Sequence, residues 1–229
     1  DNVAAESGGT ATVDLDNAGT LRGRVDASSD EIATFTNSGT WSVENGSSGG
    51  SALDLYAGGG ASSTLTNTGT IEITGDATFQ LDTVENTGGT IDLTADTGVR
   101  GTFLTMNLGS FTFEGSTTAT DSLIEIDALL GADQGVTVAT STESDFIDIN
   151  GSNATGVTKV RIADAEPGTA GVNSPDGLMV ISTQFESDAG AFVLENGAIN
   201  KGLWQYDLHY AEGSGGYSGD ASEWYLASA

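Results

Sequence analysis

His209 is the one histidine in 229 residues, and there is no cysteine. A Ser-His-Asp or Cys-His mechanism would have to run through that single imidazole or not exist. It lies in Trp204-Gln205-Tyr206-Asp207-Leu208-His209-Tyr210. Alternation there puts Tyr206, Leu208 and Tyr210 on one strand face, and Asp207 with His209 on the other. That is the setting of a solvated strand histidine, not of a general base. Gly216-Tyr217-Ser218-Gly219-Asp220 has the composition of a serine nucleophile motif without its order, inside a Gly/Ser-rich loop. Arg22 and Arg24 share a strand face by the same alternation, with Asp14 and Asp16 nearby. They are the one set that a β-helical polysaccharide lyase or glycosidase would use, but among 33 Asp+Glu such a set arises by chance. No EF-hand loop and no Gly-Gly-x-Gly-x-Asp repeat occurs, so no dedicated calcium site is indicated. Asn45-Gly46-Ser47, Asn150-Gly151-Ser152 and Asn153-Ala154-Thr155 match the N-glycosylation pattern and read as turns. The expectation is a non-enzymatic chain with no catalytic residue, no cofactor and no metal.

The elements that would position these residues are strands. Gly is abundant at 33 residues and Pro scarce at 2, with frequent Thr, Ser, Asp and Asn, a mixture for strands and tight turns. Ser122–Leu130 is the single helix candidate, and its Leu123, Ile124 and Ile126 suit a strand equally. Six Lys+Arg against 33 Asp+Glu give a formal net charge of -27, which repels nucleic acid and anionic membranes. With 37% hydrophobic residues the chain is not a disordered acidic tail. No run reaches the ~18 apolar residues of a membrane helix. The chain opens without a signal peptide and in mid-pattern, as a fragment of something larger would.

A repeat organises the first half. Its copies are Asn17-Ala18-Gly19-Thr20-Leu21, Asn37-Ser38-Gly39-Thr40-Trp41, Asn67-Thr68-Gly69-Thr70-Ile71 and Asn86-Thr87-Gly88-Gly89-Thr90-Ile91, with a weaker Asn107-Leu108-Gly109-Ser110-Phe111. The longest interval, between Asn37 and Asn67, holds Gly/Ser runs that read as a loop at 45–62 inserted into a normal rung. Period-two alternation flanks each turn, and a recurrence near 20 residues allows two or three short strands per turn. One such rung cannot bury its apolar face alone, whereas stacked rungs do. The fold class is therefore all-β, a right-handed parallel β-helix over 1–142. An antiparallel sandwich also alternates but lacks the fixed register. Leu21, Trp41, Ile71, Ile91 and Phe111 are expected to form an inner ladder. Asn17, Asn37, Asn67, Asn86 and Asn107 are expected to form another at the corners. Asn and Gly are taken to supply left-handed backbone there, as structural corners and not as a binding row.

After residue 115 the turn signature is lost, and from Glu143 a different series begins. It runs Asp145-Phe146-Ile147-Asp148-Ile149-Asn150-Gly151, then Gly156 with Thr158-Lys159-Val160-Arg161-Ile162. Asp176-Gly177-Leu178-Met179-Val180-Ile181, Phe192-Val193-Leu194, Gly202-Leu203-Trp204-Gln205-Tyr206-Asp207-Leu208 and Trp224-Tyr225-Leu226 follow. This ordered set resembles the C-terminal passenger region of monomeric, pertactin-like bacterial autotransporters of the type V secretion route. Trp204 stands where that family has Tyr. The resemblance covers 143–229 and implies an autochaperone cap that folds first and templates the rungs before it. Phe192, Leu194, Gly202, Trp204, Tyr206, Leu208, Trp224, Tyr225 and Leu226 are its expected cap residues. It also implies export to the cell surface or beyond, an outer-membrane β-barrel as the chain's own partner, and monomeric behaviour. Contact with host matrix, a cell-surface protein or neighbouring cells would be the passenger's task, with the loop at 45–62 a contact surface. A polysaccharide-degrading enzyme and a secreted ligand signalling to host cells remain the alternatives.

Overall fold

The computed structural model describes residues 3–6, 13–27, 33–43, 51–55, 62–96, 101–109, 113–117, 122–130, 143–175, 177–212 and 221–228. Three sheets run along one axis. Sheet A stacks β1 (Val3–Glu6), β4 (Arg24–Asp26), β7 (Leu53–Asp54), β10 (Ala77–Leu81), β13 (Phe103–Leu108), β16 (Phe146–Asn150) and β19 (Leu178–Thr183). Sheet B stacks β2 (Val13–Asn17), β5 (Ala33–Asn37), β8 (Thr64–Asn67), β11 (Thr83–Asn86), β14 (Phe113–Gly115) and β17 (Ala154–Thr155). Sheet C stacks β3 (Thr20–Arg22), β6 (Thr40–Val43), β9 (Thr70–Ile73), β12 (Thr90–Asp92), β15 (Leu123–Ala128), β18 (Thr158–Asp164) and β20 (Phe192–Leu194). Every pairing among these strands is parallel; up to β19 each paired strand bonds to the one three places on, and β20 then joins β18. The protein is a parallel β-helix with three strands per turn. The helix candidate Ser122–Leu130 is accordingly strand, β15, over Leu123–Ala128.

Apolar residues at every second position explain why the tube closes. Leu21, Trp41, Ile71, Ile91, Ile124 and Val160 stand over one another in sheet C, and all but Leu21 are fully buried. Phe35, Leu65, Val84 and Phe113 form the sheet B ladder, and Leu53, Phe79, Met106 and Ile149 that of sheet A. Trp41 fixes the middle of the core. It stacks on Phe79 at 5.4 Å, meets Phe35 edge-on at 5.0 Å, and donates its indole N–H to the Gly23 carbonyl at 2.8 Å. Burying a side chain of that size contributes about 3 kcal/mol or more to stability.

Three expectations change. Leu53–Asp54 lies inside the supposed loop at 45–62, yet it is β7, with Ala52, Leu53 and Leu55 buried. Gly/Ser runs on both sides hid the strand that completes the second turn. The Asn107 copy is not a repeat of the corner. Asn107 belongs to sheet A, pairs with Gln80 and Asn150, and faces solvent. The next place in the Asn column is held by Gly115, and the place after Ile91 by Ile124 instead of Phe111, which lies outside the described residues. Arg22 and Arg24 do not share a strand face, because Gly23 (φ 104°) turns the chain between sheets C and A. Parallel pairing runs from β13 to β16 and on to β19.

The sense of pairing reverses at the end. β23 (Ser222–Ser228) joins sheet A antiparallel to β19, and β22 (Trp204–Glu212) and β21 (Ile199–Lys201) follow as antiparallel neighbours.

Candidate functional site

Two constellations merit a functional reading, the corner column and the terminal cap. In the column, Asn17 Nδ2 donates to Asn37 Oδ1 at 2.7 Å, Asn37 to Asn67 at 2.8 Å, and Asn67 to Asn86 at 2.8 Å. The same amide nitrogens also reach the carbonyls of Thr40, Thr70 and Thr90 in the following turn. Asn37, Asn67 and Asn86 are completely buried. These hydrogen bonds run from rung to rung, so the buried asparagines tie successive corners together. At its end Asn86 meets Ser122, whose hydroxyl donates to the Asn86 carbonyl.

Gly39 and Gly69 are needed for space and not for a left-handed backbone, while a Cβ on Gly19, first in the stack, would meet nothing within 4 Å among the described residues. Gly19, Gly39 and Gly69 are absent from the glycines with positive φ. A Cβ on Gly39 would stand 2.1 Å from the Gly19 carbonyl oxygen, and one on Gly69 2.1 Å from that of Gly39. In the fourth copy the stacked glycine is Gly89, where a Cβ would lie 2.3 Å from Asn67 Nδ2. Gly88 is the additional residue, with φ 91°, and its N–H donates to Ser122 Oγ.

The cap brings most of the aromatic residues singled out above into one body. Phe192, Tyr206, Trp224 and Leu226 are buried in the core, while Leu194, Trp204 and Leu208 pack against it half-buried. Trp224 meets Phe192 edge-on at 4.8 Å and Tyr210 at 5.3 Å, and Phe192 in turn stacks on Phe113 at 6.1 Å. Tyr225 is half-buried and pairs across to Met179 and His209. Gly202 (φ 65°) makes the tight turn between β21 and β22, next to Leu203, which is 97% exposed.

Polar anchors tie this cap to the tube. Tyr206 Oη lies 2.7 Å from the Leu130 carbonyl and 2.6 Å from that of Val172, and accepts the Val172 N–H at 2.8 Å. Burial raises its pKa above the usual tyrosine value. Lys201, buried, donates to Asp164 Oδ1 at 2.8 Å and to the Glu166 carbonyl at 2.9 Å. Arg161 bridges Glu195 of the turn after β20 and Glu125 of β15. The Arg161 hydrogen bond holds Glu195 below the usual carboxylate range, and Arg161 itself is held more firmly charged. Sequence reasoning found the aromatic residues but missed Lys201, Asp164 and Arg161, because a lone basic residue in a strand carries no pattern.

One buried carboxyl stands apart. Asp145 accepts the N–H groups of Gly101 and Thr102, both at 3.0 Å, and that of Asp127 at 2.7 Å. Burial pushes its pKa up to about 7 against the pull of these amides. It is a tie between turns. His209 is exposed on β22, and residues 213–220 with Ser218 lie outside the described residues. Among the described residues no group of three His, Asp or Glu is placed to hold a metal ion. No family model matches the chain, and no curated protein is similar to it in sequence.

Proposed function

We propose that this chain is a length of exported bacterial passenger, a β-helical shaft ended by a cap that starts its folding, as in pertactin-like autotransporters. The observation that carries this reading is the reversal of pairing at β23. A parallel solenoid exposes an unpaired edge at its last rung, and such an edge invites aggregation. Here β23, β22 and β21 occupy the sheet A edge antiparallel, and Trp224, Phe192 and Tyr206 fill the end of the core. The hairpin of β22 and β23 closes between Glu212 and Ser222, ten residues apart, whereas the rungs close across nineteen or more. Local contacts form first because they cost less loop-closure entropy. A locally formed antiparallel sheet whose free edge is β23 then offers β19 a template, and each turn offers the next one.

On this reading the chain works at the cell surface or beyond it, with an outer-membrane β-barrel of its own polypeptide as partner. It holds an adhesive surface away from the membrane, towards host matrix or neighbouring cells. The absence of cysteine suits a chain that crosses a membrane unfolded. Phe185, Val193 and Leu203, the large apolar side chains exposed among the described residues, all lie near the cap, where a second body would meet it. The test is removal of residues 200–229. The truncated chain is expected to lose cooperative refolding from denaturant. Refolding at the rate and yield of the intact chain would contradict the proposal.

A further inference from the structure

The outer face of sheet A differs from the rest of this acidic surface. Its core-side residues are Phe79, Leu81, Met106, Leu108 and Ile149, so Gln80, Asn107 and Asn150 project outward in one register row. Gln184 extends the row, since its N–H donates to the Ile149 carbonyl and its side chain accepts the Gly151 N–H. Four amide side chains thus follow one another along the axis at the ~4.8 Å spacing of stacked strands. Thr78 and Thr105 form a parallel hydroxyl row beside Gln80 and Asn107. None of the side chains of Gln80, Asn107, Thr78 and Thr105 has a hydrogen-bond partner among the described residues. Next to the row is an open depression of about 400 Å³ lined, among the described residues, by Gln80, Asn107, Leu108 and Gly109.

We propose that this face binds a neutral glycan chain, lying extended along the tube axis over Gln80 and Asn107. An amide both donates and accepts, as does a sugar hydroxyl, so a row of amides can satisfy a row of hydroxyls without charge. The rung spacing is close to the length of one pyranose unit in an extended chain, so each turn of the helix meets about one sugar. The depression is in the size range of a small-ligand site of ~300 to 1,000 Å³. Charge sets the class. Asp26 and Asp54 stand in the same row before Gln80, Asp148 stands beside Asn150, and the whole chain carries a formal net charge of -27. An anionic glycan is repelled there. A peptide strand is recognised through a free sheet edge, and β10, β13 and β16 are paired on both sides.

The proposal does not depend on the cap's role in folding. It is tested on the intact chain by following the side-chain amide NMR signals of Gln80 and Asn107. The titrants are β-1,4-linked hexasaccharides of glucose, mannose and xylose, with hexagalacturonate as the anionic counterpart. At least one neutral chain is expected to shift both signals saturably. The double variant Gln80→Ala with Asn107→Ala should weaken that binding tenfold or more, while Thr68→Ala at the remote corner leaves it unchanged. Unshifted signals with all three neutral chains overturn the proposal. So does equal binding by the double variant, or hexagalacturonate binding as tightly as the neutral chains.

Discussion

At the residue scale, asparagines with the same sequence signature do opposite things. Asn37 sits in the buried column, donating to Asn67 and the Thr70 carbonyl and accepting from Asn17. Asn107 lies outside the tube. Replacing Asn37 with Ala removes these bonds and leaves neighbouring amides unsatisfied, each at about 1–3 kcal/mol. Asn37→Ala is therefore expected to lower unfolding free energy by roughly 2–4 kcal/mol, against at most about 0.5 kcal/mol for Asn107→Ala. Urea denaturation of the two variants checks this, and equal losses would contradict the column. The Asn-x-Gly-Thr signature was legible because the corner demands an amide and two closely stacked glycines at once. Asn107-Leu108-Gly109 imitated it because a strand ending at any corner of the tube favours the same small polar residues. Nothing local distinguishes the corner from sheet B to sheet C from the one after sheet A.

At the element scale, period-two patterns located the strands, and long-range stacking decided what each strand means. Leu53 and Leu55 escaped notice because two apolar residues between glycine runs carry too little periodicity. Leu53 is strand because Val25 and Phe79 stand on either side of it, and Leu55 is buried just after it. The aromatic residues of the cap were legible as a set, since Trp204, Tyr206 and Tyr210 fall on alternate positions and Trp224 and Tyr225 close the series. Their anchor to the tube was not, because Leu130 and Val172 are remote in sequence from Tyr206. That anchor makes a clean test. Tyr206→Phe keeps the ring and removes the hydroxyl that serves Leu130 and Val172. A loss of about 1–3 kcal/mol is expected, with the native fold retained by circular dichroism. Because the bond joins cap to tube, the variant should also raise amide exchange in β21 and β22 more than in β6. Uniform exchange changes would place the hydroxyl outside the junction.

At the scale of the whole molecule, the tube holds together through apolar ladders and neutral amides, and its charges lie mostly outside. Asp145 is among the few that are buried, with Asp82, Asp127, Glu223 and Lys201. It joins the lead-in of β13, the end of β15 and the start of β16. Its folded pKa of about 7 lies above the ordinary 3.8. The stabilising contribution of its protonated form is therefore complete below pH 3.8 and is lost as pH rises through about 7. The span corresponds to at most about 4 kcal/mol. The urea midpoint should fall between pH 5 and pH 8.5, and Asp145→Asn should flatten that fall even if it lowers stability throughout. An unchanged slope in the variant would assign the pH dependence to other carboxylates.

The order of folding is what separates a cap that templates the shaft from one that merely closes it. Pulsed hydrogen exchange during refolding of the intact chain measures that order directly. Amides of β19, β22 and β23 are predicted to gain protection first, followed by β16 and β13, with β5 and β6 last. Protection that begins in β5 and β6, or that rises in all strands together, would contradict the proposal that the C-terminal cap starts the fold.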